Sequence, residues 1–220
     1  LTMIGKGKSI SHGVAALEYD LAKEIDGQAA ATEIARHELY GCTGAEMVQE
    51  MKPYFTDFPN VKNNCLRFEV SPSIEESSSF TDADWAELGN DFMQRMGLMN
   101  HQYIIIKHSG TESKKKQAHL HILANRISLS GELYRDNWIG KRATEAANAI
   151  AKERDFVQSQ DIGKANKAEI KEAMNEVLKK LQGFDLAKFQ EELGKLGFKV
   201  REARASTGKL NGYYVTARSG

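Results

Sequence analysis

Two short apolar runs constrain this chain more than anything else in it. Tyr103-Ile-Ile-Ile-Lys-His108 and Ala118-His-Leu-His-Ile-Leu-Ala-Asn125 have the length and the apolar, partly β-branched make-up of strands, and a Lys-rich segment joins them. Side chains alternate faces along a strand, so His119 and His121 project from the same side of the second run. If the runs pair as a hairpin, His108 at the end of the first reaches that side too. Three imidazoles then converge on one point and leave positions open for water or a phosphate. A His-x-His pair by itself reads equally well as two polar positions on a strand. The third histidine makes a metal site the better reading.

The remaining elements follow from periodicity and capping signals. Residues 1–5 read as a short strand. Gly5-Lys-Gly-Lys-Ser9 lacks the full G-x-x-x-x-G-K-[ST] pattern, which argues against a nucleotide-binding loop. Ser9 or Ser11 predicts the start of a helix running to about residue 23, with Val14, Leu17, Leu21 and Ile25 as its apolar stripe. Tyr19 falls on the opposite side of that helix, where packing does not require it. Residues 29–39 read as a short helix or strand. Thr43 caps a second helix to about residue 54, and Tyr54 shares its Met47/Met51 face. Residues 64–71 alternate as a strand that Pro72 stops, and 73–79 read as polar loop. Thr81 opens a helix whose Trp85, Leu88, Phe92 and Met96 recur at helical spacing and read as core. After the histidine strands, Gly131 turns the chain and residues 143–156 form an Ala-rich helix.

Residues 157–164 read as the domain boundary, dividing a main domain at 1–157 from a small C-terminal module at 163–220. In that module, residues 167–181 and 185–196 read as helices, and a hairpin turns at Thr207-Gly208. At 220 residues the chain holds one full domain with a small appendage. No run is apolar enough to span a bilayer and no signal peptide is visible. Cys42 and Cys65 suit a reducing cytoplasm and have no metal spacing of their own. Starting at Leu1 and stopping at Gly220 suggests an excised fragment. Basic and acidic residues balance at 30 each, so their distribution says more than their sum. Residues 68–94 hold acids and no Lys or Arg, whereas Lys199, Arg201, Arg204, Lys209 and Arg218 crowd the end. That separation permits a basic DNA-facing side, and equally a solvated face.

The set His108 … His119-Leu-His121 … Asn125-Arg126 resembles the third motif of mobilisation relaxases in the HUH endonuclease superfamily, those of Bacteroides-type mobilisable elements above all. Ile4-Gly-Lys-Gly-Lys-Ser9, Arg67-Phe-Glu-Val-Ser-Pro-Ser73, Phe92-Met-Gln-Arg-Met-Gly97 and Gly131-Glu-Leu-Tyr-Arg-Asp136 extend the likeness in order through most of residues 1–157. The resemblance implies an α+β fold with a central, mainly antiparallel five-stranded sheet flanked by helices. It implies an N-terminal tyrosine as nucleophile, best matched by Tyr19, with Tyr40 the main competitor. It implies Mg²⁺ or Mn²⁺ in use, although imidazole ligands also suit Ni, Cu or Zn. The substrate it implies is a transfer origin held as a hairpin beside single-stranded DNA, with accessory mobilisation and coupling proteins as further partners in a bacterial cytoplasm.

Tyrosine attack on a phosphodiester would give a 5′-phosphotyrosyl link and a free 3′-hydroxyl, and reversal would reseal the strand. Asn125 and Arg126 match a family motif for DNA contact; Arg126 either binds a phosphate or ends the strand in an ion pair. Lys114, Lys115 and Lys116 either track the DNA backbone or solubilise a loop. Arg201 and Arg204 place the C-terminal hairpin on duplex DNA or leave it a packing module. Many relatives carry an acid two places after the first histidine, where this chain has Gly110, and Glu112 is a possible substitute. If such departures disable cutting, the protein is a metal-stabilised origin-binding module. A small-substrate phosphoesterase is the third alternative.

Overall fold

A computed structural model describes residues 3–25, 27–109, 117–156, 159–181, 183 and 185–217. Contacts divide the chain into two compact units, Leu1–Ser159 and Gln160–Gly220. The first is built on a five-stranded sheet in the order β1 (Ile4–Ile10), β5 (Cys65–Ser71), β7 (His119–Ser128), β6 (His101–His108), β4 (Ala31–His37). Each neighbouring pair is antiparallel. Helices α1 (Gly13–Leu21), α2 (Gly44–Met51), α3 (Ile74–Ser77), α4 (Asp82–Arg95) and α5 (Ile139–Glu153) complete the unit, with a two-residue ladder of β2 (Glu24–Ile25) and β3 (Gln28–Ala29). This is the α+β architecture expected from the sequence.

Strand alternation sorts the core into two faces. Leu66, Phe68, Val70, Tyr103, Ile105, Leu120, Ile122 and Ala124 point to the face that α4 and α5 cover, in one large apolar cluster. Ile104, Ile106 and Leu123 point to the other, where Leu17 of α1 and Met47 of α2 close a smaller one. His119 and His121 have the parity of Leu123, and His108 that of Ile106. The histidines therefore extend the smaller core toward the sheet's end.

Close approach explains the Gly-x-Gly of β1. A Cβ on Gly5 would lie 2.3 Å from the Ala143 carbonyl oxygen, and one on Gly7 would lie 2.8 Å from the Phe68 ring. Small residues on both partners let α5 lie directly on the edge strand, and Thr144 Oγ1 donates to the Gly5 carbonyl at 3.0 Å. The glycines serve helix–sheet packing, and β1 runs past the expected residue 5 to Ile10.

Helix starts follow caps where caps exist. Thr43 with Glu46, and Thr81 with Asp84, form capping boxes at the residues read from sequence. Ser73 with Glu76 forms another, so a one-turn helix stands where a polar loop was expected. α1 starts only at Gly13, because Ser9 and Ile10 still pair with β5, and His12 leads into it without a side-chain cap. Its buried residues are Gly13, Ala16, Leu17 and Asp20, while Val14, expected in the stripe, is 39% exposed. α2 ends at Met51, and a 3₁₀ turn over Lys52–Phe55 leaves Tyr54 half-buried rather than in the core. α5 starts at Ile139, a turn before the expected residue 143, after Trp138 in a left-handed conformation at φ 55°.

The second unit holds α6 (Ser159–Lys180), α7 (Leu186–Lys195) and a hairpin of β8 (Phe198–Arg204) and β9 (Leu210–Ala217). Asp185 caps α7 as expected. α6 begins inside the stretch read as a boundary, whose Ser, Asp and Gly residues do not prevent helix formation. Val177, Phe189, Leu193 and Phe198 make this unit's own small core.

Candidate metal centre and active site

Register sets the centre. His108 ends β6 directly opposite His119 of β7, and His121 lies between Ile106 of β6 and Glu69 of β5. Because all three side chains share one face, one ligand nitrogen from each falls within 4.8 Å of the others, the one such cluster among the described residues. His119 Nε2 and His121 Nε2 are 3.0 Å apart. A divalent ion bound at about 2.0–2.1 Å from each imidazole requires such a spacing, so these residues fit one.

Their protonation state fits as well. Burial lowers the pKa of His108 and takes that of His121 down to about 2, with the neighbouring imidazoles and Arg67 acting in the same direction. Both rings are therefore neutral at physiological pH, as metal ligation requires.

The centre is completed from α1. His108 Nε2 lies 2.7 Å from the backbone oxygen of Asp20, an acceptor that orients the ring. The Asp20 side chain is 2% exposed and accepts from Arg67 Nη2 at 2.5 Å, with His121 Nδ1 3.7 Å away. Burial outweighs the Arg67 pairing and raises the pKa of Asp20. Arg67 also lies 3.4 Å from His121 Nδ1, and its buried Nε has no hydrogen-bond partner among the described residues. Beside this cluster opens a cleft of about 240 Å³, lined by Lys6, Lys8, Arg67, Glu69 and His121 among others. Lys6 pairs with Glu69 at 2.8 Å. Cations outnumber acids in the cleft, as suits an anionic ligand.

Tyr19 immediately precedes Asp20 on α1 and is 58% exposed, and its hydroxyl accepts from Lys23 Nζ at 3.4 Å. The other tyrosines are placed less well. Ala31 of β4 pairs with His108 and His37 with Tyr103, so Tyr40 lies past the far end of a strand about 20 Å long. Tyr103 is buried on the α4 face, away from the histidines.

Asn125, expected to touch DNA, is fully buried. Its amide donates to Gln102 Oε1 and accepts from the Ile127 backbone N–H, each at 2.9 Å. It ties β7 to β6 and has no surface to offer a nucleotide. Arg126 likewise turns inward, donating to Asp136 at 2.7 Å and to the carbonyls of Tyr134 and Asn63. Of its two readings, the strand-ending ion pair is the one formed. Arg201 and Arg204 lie on β8 of the second unit. Arg201 sits 6.0 Å from the Tyr214 ring, and Arg204 pairs with Glu202. Glu112, Lys114, Lys115 and Lys116 lie outside the described residues.

Asp20 and Arg67 were missed in the sequence. The signal for Asp20 was present: it stands three residues after Leu17 and four after Ala16, an acid on the apolar side of a helix. Arg67 gave no such signal, since a cation alternating with Leu66 and Phe68 is what a strand with one polar face shows.

A family described as Relaxase: MobA/VirD2-like, nuclease domain, matches residues 19–156. No curated protein and no solved structure matches the chain.

Proposed function

This chain belongs to the MobA/VirD2-like relaxase nucleases, which nick DNA during mobilisation, and from that premise we propose that Tyr19 is its nucleophile and that His108, His119 and His121 hold the divalent ion it uses. The convergence of the three imidazoles against Asp20, the residue after Tyr19, supports this reading most directly. A bound divalent cation, Mg²⁺ or Mn²⁺, supplies Lewis-acid polarisation of a phosphoryl oxygen. Arg67, Lys6 and Lys8 neutralise the phosphodiester in the cleft. The Tyr19 oxygen forms a bond to phosphorus as its proton leaves to solvent. The bond from phosphorus to the 3′-oxygen breaks, and that oxygen takes up a proton as the free 3′-hydroxyl. The 5′-phosphate stays on Tyr19, and reversal rejoins the strand. Lys23 lies where its ammonium accompanies negative charge on the attacking oxygen.

The substrate is single-stranded DNA beside a hairpin at a transfer origin. Accessory mobilisation and coupling proteins assemble with the enzyme in the bacterial cytoplasm. Among the described residues no helix is long and apolar enough to cross a membrane. The second unit contributes duplex contacts through the outer face of its hairpin, where Lys199 and Arg201 stand beside Tyr214.

Incubating the protein with Mn²⁺ and origin oligonucleotides tests the reading. The expected product is a protein–DNA adduct that chelator prevents and Tyr19→Phe abolishes, with DNA affinity retained. Cleavage without an adduct would mark a simple phosphoesterase, and binding without cleavage an origin-binding module.

A further inference from the structure

One cavity in the first unit lies away from the histidines, at the other end of α1. It measures about 740 Å³. Val14, Phe55 and Pro59 supply apolar surface, His12, Lys52 and Asn64 supply polar groups, and no acid lines it. Among the described residues, neither His12 nor Lys52 forms a side-chain hydrogen bond or ion pair, so their capacity is uncommitted. Val14, in the cavity wall, is 39% exposed. An apolar recess with an aromatic side chain and a cationic, acid-free lining complements one flat apolar group attached to a negative charge.

α1 links this cavity to the catalytic cluster. It runs from Gly13, in the cavity wall, to Asp20, in contact with the histidines. Seven residues at about 1.5 Å each separate the two ends by about 10 Å. That span matches about three nucleotides at a stacked spacing of about 3.4 Å. β1 also reaches both places, with Lys6 and Lys8 in the catalytic cleft and Ser11, just beyond the strand, in the cavity.

We propose that this cavity is a nucleobase pocket that captures one base of the substrate strand, about three nucleotides from the phosphate at the histidine centre. The base lies against Phe55 between Val14 and Pro59, Lys52 and His12 meet its flanking phosphate, and the Asn64 amide faces the base edge. Aromatic stacking tolerates any base, whereas an amide pairs best with an adenine edge. This pocket gives the enzyme a way to select its cleavage position through a base it does not cut beside. It rests on the reading of the histidine site as the place where single-stranded DNA is cut.

Affinity reads the pocket without requiring cleavage, so its failure is distinguishable from failure of the nicking reaction, which the covalent adduct reports. The full chain is titrated by fluorescence anisotropy against labelled single strands of dA, dC and dT of about twelve nucleotides, and against an abasic strand of equal length. The expected result is about tenfold tighter binding of the best base-bearing strand than of the abasic one. Phe55→Ala should erase most of that preference while leaving abasic affinity unchanged. Because Phe55 also packs against the core around α1 and α2, Val14→Gln at the exposed rim provides a second variant that spares the fold; it should narrow the preference too. Equal wild-type affinity for base-bearing and abasic strands would overturn the pocket, and is the result expected of a cavity built for an apolar peptide. A preference undiminished in both variants would overturn it as well.

Discussion

The two faces of the central sheet differ in what they do with buried surface. The face under α4 and α5 is apolar throughout, from Leu66 and Phe92 to the alanines of α5 that settle over Gly5 and Gly7. The face under α1 and α2 begins in the same way, with Leu17, Met47 and Leu123, but toward the sheet's end it gives way to Asp20, Arg67 and three histidines. One sheet can carry both because strand alternation separates them: a side chain substituted on one face does not point into the other. The larger core holds the strands in register, and the polar face uses that register to bring its imidazoles together. Buried polar groups cost stability unless paired, so the first face must supply what the second loses.

That division predicts separable defects. Phe92→Ala removes a fully buried ring from the apolar face and should cost about 3–5 kcal/mol in urea unfolding, with activity per folded molecule unchanged. His119→Ala, on the polar face, should do the reverse: adduct formation falls below detection while the unfolding midpoint moves little. Equal loss of both properties in both variants would mean that the faces are not independent.

A smaller effect probes the polar face from within. Arg67→Met leaves the Asp20 carboxylate buried without its cation. The expected loss is about 2–3 kcal/mol, below the ~3–5 kcal/mol of a fully enclosed pair because Arg67 keeps some solvent contact. Adding Asp20→Asn removes the stranded charge and should recover much of that loss. A double variant no more stable than Arg67→Met would show that the pair is not coupled.

The mildest test is pH. Burial lowers the pKa of His101, His108 and His121 below the ordinary 6.5. Below that value the unfolded chain takes up protons that the folded chain refuses, so stability is full above about pH 6.5 and declines as pH falls. Asp20, with its raised pKa, acts oppositely: its contribution is present at low pH and is lost as pH rises above 3.8. Three histidines against one acid set the net direction. Melting without metal should give a lower Tm at pH 5.5 than at pH 7.5, and an unchanged or higher Tm would contradict the buried neutral rings.

The sequence showed the histidine strands clearly because period two and residue type pointed the same way. It showed capped helices at Thr43, Thr81 and Asp185 for a similar reason, since a cap is a local interaction. What it hid depended on distant partners. Ser73 to Ser79 looked like loop because a single helical turn has too few residues to show a period. The glycines of β1 gave no sign of their role, because α5, which needs their missing side chains, lies far along the chain. Asn125 and Arg126 carried a family motif toward DNA, but Gln102 and Asp136, neither of them a sequence neighbour, hold them inside. Asp20 was overlooked because a helical stripe was read only for its apolar members, and its partner Arg67 lies 47 residues further on.

The most direct test of the central claim, that the three histidines and the α1 tyrosine form one centre, is to digest the covalent protein–DNA adduct and locate the modified residue by mass spectrometry. The nucleotide should be found on Tyr19, in adduct that forms only with divalent metal and with His108, His119 and His121 intact. A nucleotide on any of the other six tyrosines, or on Tyr19 in a His119→Ala chain without metal, would contradict it.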